Sequence, residues 1–132
     1  MSQSGEKNLE KLRKGLNPVL NPGEYVFSTV DDLNKIPRNK TIGEFVENEG
    51  ITVILPKEEA DKLDLSYEYI ASWITLEVHS SLEAVGLTAL FSNELSKHSV
   101  SCNVIAGYYH DHIFVDVNDS EKAVEILKKL SE

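Results

Sequence analysis

The same order of predicted secondary-structure elements occurs twice along this chain, and this repetition constrains the fold more than any other feature. In the second half, Ile74, Leu76 and Val78 alternate with polar residues, which predicts a strand. Apolar residues such as Leu87 and Phe91 then recur at helical spacing. The second half is predicted to contain strand 71–78, helix 84–97, strand 101–107, turn 108–111, strand 112–117 and a helix to about residue 130.

The first half predicts a similar order, with a short connection in place of the first helix. That connection, 31–40, is polar and contains one proline, so it is a loop or a single short helix. Gly50 in the hairpin turn is free to take a positive φ. The elements are a helix at 6–14, strands at 25–30, 42–46 and 51–55, a turn at 47–50 and a helix at 56–63.

The repeat of about 45–50 residues indicates two copies of one supersecondary unit. A strand-helix-strand-strand-helix unit lacks only the last strand of the ferredoxin-like sandwich. We therefore predict an α+β fold with two tandem units, each an antiparallel sheet with helices on one face. The expected domains are a tail and helix at 1–15, a first, degenerate unit at 16–67 and a second unit at 68–132.

The second unit has no residues left after its final helix to supply a closing strand. An open apolar sheet edge invites aggregation, so another segment should cover it. The sequence suggests the strand at 25–30 or a partner chain for that position. At the start of the final helix, Asn118 and Glu121 have the spacing of a capping box.

Charge and cysteine content exclude several classes of protein. The net charge is −9, which disfavours nucleic acid and anionic membrane surfaces as partners. The single cysteine, Cys102, rules out an intrachain disulfide and fits a buried small apolar residue. The first residues lack the apolar run of a secretory signal, and the expected compartment is the cytoplasm.

The segment between strand 71–78 and strand 101–107 is the most informative for function. A helix is predicted to start near Ala84, with Gly86 in its first turn. First-turn amides have no intrahelical partner and lie at the positive end of the helix dipole, which suits an anion. Packing alone also explains a glycine here, because it lets the helix lie close to the sheet. Spacing alone leaves both explanations open.

These segments resemble the ACT domain family. The run from Leu76 to Leu87 resembles the first strand, loop and helix start of an ACT domain, and Ser101–Ile105 resembles its second strand. The paired ACT module of aspartate kinases is the most similar arrangement. The whole chain resembles stand-alone bacterial proteins with two ACT-like units. That wider match is carried by Gly23-Glu24-Tyr25-Val26-Phe27, Glu49 to Pro56 and Gly107 to His112.

The resemblance implies binding of a small metabolite, most often an amino acid, between two units, without catalysis or a cofactor. It also implies a regulatory protein that forms a homodimer. In that role the amides of Gly86 and Leu87 would hold a carboxylate, Asn103 would bind an amino-acid backbone, and Glu83 would pair with an ammonium group. Val85 departs from the family, which usually has proline before the glycine. The residues that it nominates are Glu83, Ala84, Val85, Gly86, Leu87, Thr88, Asn103, Val104 and Ile105.

Two other functions remain as alternatives. One is a protein–protein interaction module of the same fold that pairs with a partner through an open sheet edge and has no ligand. The other is a small enzyme that uses His110 and His112. These two histidines, with His79 and His98, are also the only candidates for a metal site, but no third ligand stands at a fixed spacing. No glycine-rich phosphate loop or Gly-x-Ser-x-Gly motif is present, so we expect no enzyme activity.

Overall fold

The computed structural model describes residues 8–78 and 85–132. Within these ranges the chain forms four α-helices and seven β-strands, with short 3₁₀ turns at Leu33–Lys35 and Val117–Asp119. The elements are α1 (Leu9–Lys14), β1 (Asn17–Leu20), β2 (Tyr25–Val30), β3 (Gly43–Val46), β4 (Ile51–Pro56), α2 (Lys57–Lys62), β5 (Ile70–Glu77), α3 (Leu87–Lys97), β6 (Asn103–Ala106), β7 (Asp111–Asp116) and α4 (Ser120–Leu130).

The chain forms two compact units, and one of them is made of two separate segments. We call Pro22–Ser72 the inserted unit. The split unit comprises the described residues of Met1–Asn21 together with those of Trp73–Glu132. These units are defined by spatial contacts. The domain boundaries expected from the sequence, 16–67 and 68–132, concern the repeats of the chain and stay a prediction.

In the inserted unit the strand order is β3-β4-β2, followed by the first residues of β5. Strands β2 and β4 pair antiparallel along their whole length, and β4 pairs antiparallel with β3. Pro56 ends β4 and lies at the N-cap of α2, where a missing N–H costs nothing. The apolar core consists of Val26, Val30, Ile36, Val53, Leu55 and Ala60.

In the split unit, β5 lies between β1 and β7, and β6 is the outermost strand. Apolar residues on one sheet face, such as Ile74 on β5 and Ile113 on β7, form one core with the helices. Phe91 of α3 and Leu127 of α4 are fully buried in it, and so is Leu12 of α1. The predicted α+β, ferredoxin-like architecture, with two tandem units, antiparallel strands and helices on one face, is confirmed.

The strand that covers the edge of the second repeat is not the one the sequence suggested. β1 pairs antiparallel with β5, with Leu20 opposite Ile74 and Asn17 opposite Glu77. The suggested strand, Tyr25–Val30, reaches β5 only through Tyr25 and Val26, opposite Ala71 and Ile70. Pro18 made a strand at 17–20 improbable from the sequence. Proline is nevertheless tolerated there, because β1 is an edge strand of the split unit.

Three local expectations were also wrong. Asp116, not Asn118, accepts a cap hydrogen bond: its side chain binds the amide of Asn118 at 2.9 Å, and the N-cap of α4 is Asp119, whose side chain makes no cap bond. Gly50 is not among the glycines with positive φ. A Cβ at Gly50 would lie 2.7 Å from the hydroxyl of Thr29, so any larger residue would force that hydroxyl to move.

The third wrong expectation concerns the start of α3. Gly86 is the N-cap of this helix and not part of its first turn, because its φ of 97° is left-handed. A left-handed residue cannot continue a right-handed helix, so α3 begins at Leu87. The expected start at Ala84 lies outside the described residues. No helix in the described ranges is long and apolar enough to cross a membrane.

Candidate functional site

The start of α3 presents backbone amides beside a glycine in the left-handed conformation. Gly86 takes a φ that side-chain-bearing residues rarely adopt, and its carbonyl accepts the first helical hydrogen bond, from the amide of Leu90 at 2.9 Å. A Cβ on Gly86 would touch Leu9 of α1 at 3.4 Å. That distance is an ordinary van der Waals contact, so the left-handed φ, and not a lack of space, calls for glycine here. Neither explanation offered by the sequence, an anion site or close packing on the sheet, is tested by this geometry.

The predicted site residues around this turn differ in what they can offer a ligand. The side chain of Leu87 is buried in the core, so only its backbone is available. Val85 is 83% exposed, and Thr88 is also exposed. Glu83 and Ala84 lie outside the described residues.

On the outermost strand, β6, the three nominated residues divide between the two sheet faces. Val104 packs against the core of the split unit. Asn103 and Ile105 lie on the other face, opposite Phe114 and His112 of β7. Asn103 is exposed, and its side-chain amide donates to the carbonyl of Phe114 at 3.3 Å. Asn103 and Ile105 thus lie on one accessible surface, whereas Val104 faces the core on the other side of the sheet. The binding role of the nine nominated residues stays a prediction.

A polar cluster that the sequence did not predict lies on the same sheet face as Asn103. The indole N–H of Trp73 donates to Nδ1 of His112 at 3.0 Å, and the hydroxyl of Thr75 lies 3.2 Å from the same nitrogen. Asn21 donates to that hydroxyl at 2.9 Å. The apolar–polar alternation along β5 and β7 predicts which sheet face each residue occupies. No local pattern indicates the hydrogen bond between Trp73 and His112, because they are 39 residues apart in the sequence.

The hairpin between β6 and β7 places His110 and His112 in different environments. Its turn is closed by backbone atoms, with the amide of Gly107 donating to the carbonyl of His110 at 2.9 Å. His112 belongs to the cluster, whereas Nδ1 of His110 is buried without a hydrogen-bond partner among the described residues. Within those residues no group of three or more His, Cys, Asp or Glu side chains could hold a metal ion.

Burial governs the electrostatics of this hairpin and of its neighbour Cys102. It raises the pKa of Asp111 and lowers the pKa of His112. Burial also raises the pKa of the Cys102 thiol to about 11. This thiol therefore stays protonated at neutral pH and is a poor nucleophile.

A groove of about 470 Å³ lies on the helical side of the split unit, between α3 and α4. Arg13 lines it and donates to the carbonyl of Leu130 at 2.8 Å, so its guanidinium holds the end of α4. Glu94 and Glu125 line the same groove together with Lys122 and Lys129. The groove thus carries charges of both signs.

Two sequence models of the ACT domain match this chain, one over residues 4–72 and the other over residues 68–129. Together they account for most of its length, and the first alone covers more than half. No curated protein matches the chain significantly.

Solved structures that are similar to this chain support the match to this family. A Vibrio cholerae protein of unknown function, described as a possible transport protein, is 44% identical with a TM-score of 0.87, over 96% of this chain and 98% of that one. An Agrobacterium tumefaciens protein gives 16% identity and a TM-score of 0.71, over 88% and 89% of the two chains.

The regulatory subunit of aspartate kinase from Thermus thermophilus shares the fold at 8% identity, with a TM-score of 0.63 over 87% of this chain and 97% of that one. The similarity to an aspartate kinase regulatory pair, expected from the sequence, is therefore confirmed at the level of the fold. With two matching ACT models and this architecture, the chain belongs to the ACT domain family.

Proposed function

We propose that this protein is a non-catalytic regulatory protein that binds a small metabolite, an amino acid in the simplest case, at the start of α3 and on β6. The proposal rests on two features of the split unit, which a ligand held between two units would contact together. One is the left-handed Gly86 at the start of an 11-residue helix, and the other is the exposed Asn103 on the outermost strand. Membership of the ACT family supports the assignment, because amino-acid binding is what the family resemblance implies.

The chemistry of these groups suits the two ends of an amino acid. The amides of Gly86 and Leu87 belong to the positive end of the α3 dipole and favour a carboxylate. The side chain of Asn103 carries both a donor and an acceptor. Glu83 would meet the ammonium group. Val85 and Thr88 are exposed at the rim of the same turn, where they would set the size of the ligand.

We propose further that two copies associate as a homodimer through β6, which would place the binding residues of one copy beside the other. Residues 101–109 include no charged side chain, although the whole chain carries a net charge of −9. Two such acidic copies repel each other least where their contact is uncharged. Ile105, Tyr108 and Tyr109 are exposed in this segment, and tyrosine is enriched in protein interfaces.

The second candidate is a protein-interaction module without a ligand, and the exposed edge of the inserted unit favours it. Phe45 and Val46 on β3 are 72% and 75% exposed. An edge strand with two adjacent exposed apolar residues is a template for pairing with another chain. This alternative predicts a partner protein and no response to metabolites.

The proposal includes no catalytic step. His112 already accepts a hydrogen bond from Trp73, and the raised pKa of Cys102 keeps its thiol protonated. We place the protein in the cytoplasm, where such a thiol stays reduced.

A thermal-shift experiment with the common amino acids at millimolar concentration tests the function. A ligand at ~100 times its Kd stabilises the native state by about 2.7 kcal/mol, which raises the melting temperature visibly. We expect Asn103→Ala to abolish this rise, because it removes the side chain that binds the ligand. The matched control is Asn93→Ala, an exposed asparagine of α3, which should keep the rise. Absence of a shift with every amino acid would favour the interaction module.

A further inference from the structure

The hydrogen bond between Trp73 and His112 depends on the protonation state of the histidine. An indole N–H can only donate, so Nδ1 of His112 must accept, and the imidazole must be neutral with its proton on Nε2. An imidazolium has two donors and no acceptor. The bond therefore cannot exist when His112 is charged, whichever way the ring is turned.

The surroundings of His112 offer a second partner for the charged form. The hydroxyl of Thr75 lies 3.2 Å from Nδ1 and accepts from Asn21 at 2.9 Å, which leaves it a lone pair to accept from an imidazolium. On the opposite side, a Cβ on Gly107 would lie 3.1 Å from Nε2, so the backbone of the hairpin lies close against the ring. Protonation would thus exchange Trp73 for Thr75 without requiring a large movement of the histidine.

The indole has contacts of its own on this face. Its ring stacks on Phe114, with centroids 6.3 Å apart and planes inclined by 18°, and its centroid lies 5.7 Å from that of His112. Trp73 is partly exposed, so an indole released from His112 can move towards water. The hydrogen bond to His112 therefore holds the polar end of this side chain.

The charged groups near His112 act in opposite directions. His110 disfavours its charged form and Asp111 favours it, while burial lowers the pKa of His112 more than either neighbour changes it. Among the described residues, Trp73 and Thr75 of β5, Ile105 of β6 and Gly107 of the hairpin lie next to the ring, and Asn21 binds Thr75. None of these five residues is charged. Glu77, on the same face of β5, is held by Asn17 at 3.0 Å.

We propose that Trp73 and His112 form a proton-sensitive latch: neutral His112 holds the indole against the sheet, and protonation of His112 releases it while the fold stays intact. The latch does not depend on whether the protein binds a metabolite. When the latch opens, Trp73 changes its position on the sheet face that also carries Asn103 and Ile105.

The direction of the pH dependence follows from the lowered pKa. In the unfolded chain His112 titrates near its ordinary value of 6.5, and in the folded protein it titrates at lower pH. The latch is therefore closed, and its contribution to stability complete, above pH 6.5. That contribution is lost as the pH falls through the folded pKa.

Intrinsic fluorescence measures the latch directly, because Trp73 is the only tryptophan of the chain. We expect the emission maximum to shift to longer wavelength in one transition with its midpoint below the ordinary pKa of histidine, while the far-UV circular dichroism stays constant. His112→Gln keeps an acceptor for the indole but cannot be protonated, so its emission should not change with pH. His110→Gln is the matched control and should retain the transition.

Three results would overturn the latch. The emission maximum of the wild type could stay constant, as expected if the imidazolium holds the indole by a cation–π contact. The transition could persist unchanged in His112→Gln, which would assign it to another group. The circular dichroism could fall together with the shift in emission, which would show unfolding instead of local release.

Discussion

Replacing Phe91 by alanine is expected to lower the free energy of unfolding by ~3–5 kcal/mol. Phe91 is fully buried in α3 and is among the largest such side chains, so its removal leaves a cavity where the helix meets the sheet of the split unit. Urea denaturation followed by circular dichroism measures this loss.

The matched control is Phe45→Ala on β3. Phe45 is 72% exposed, so its truncation should change the free energy of unfolding by less than about 0.5 kcal/mol. Equal losses for the two variants would mean that α3 does not pack as described.

Leu12→Ala is the second substitution with a large expected effect, ~2–5 kcal/mol of the free energy of unfolding. Leu12 is 1% exposed and belongs to the same core as residues of α3, β7 and α4. The split unit should therefore lose this stability, although more than fifty residues separate α1 from β5 in the sequence.

Leu20→Ala, at a site that is 43% exposed on β1, serves as its control and should cost much less. Denaturation monitored by Trp73 fluorescence reports on the split unit, where this single tryptophan lies. If Leu12→Ala unfolded at the same urea concentration as the wild type, the N-terminal segment would not be part of that core.

Local patterns predicted those elements in which the apolar residues recur with the period of a strand or a helix. The alternation in β5 and the helical spacing in α3 gave correct elements, because in each case the buried residues follow the geometry of one element. β1 was missed because its partner, β5, is far away in the sequence. No spacing within Asn17–Leu20 shows that Pro18 occupies an edge position opposite Leu76.

The candidate site was predictable only in part for the same reason. The glycine at the start of α3 is visible in the sequence, whereas its left-handed conformation and its contact with Leu9 depend on tertiary packing. The burial of Leu87 and Val104 against one core follows from the assembled unit. The bond from Trp73 to His112 joins two strands that no local motif connects.

The most direct test of the proposed function is an ¹H–¹⁵N NMR titration of the full chain with the common amino acids. We expect one of them to cause saturable shifts centred on the amides of Gly86 and Leu87 and on Asn103, including its side-chain amide. Saturable shifts confined to the groove between α3 and α4, or no shifts with any amino acid, would contradict it.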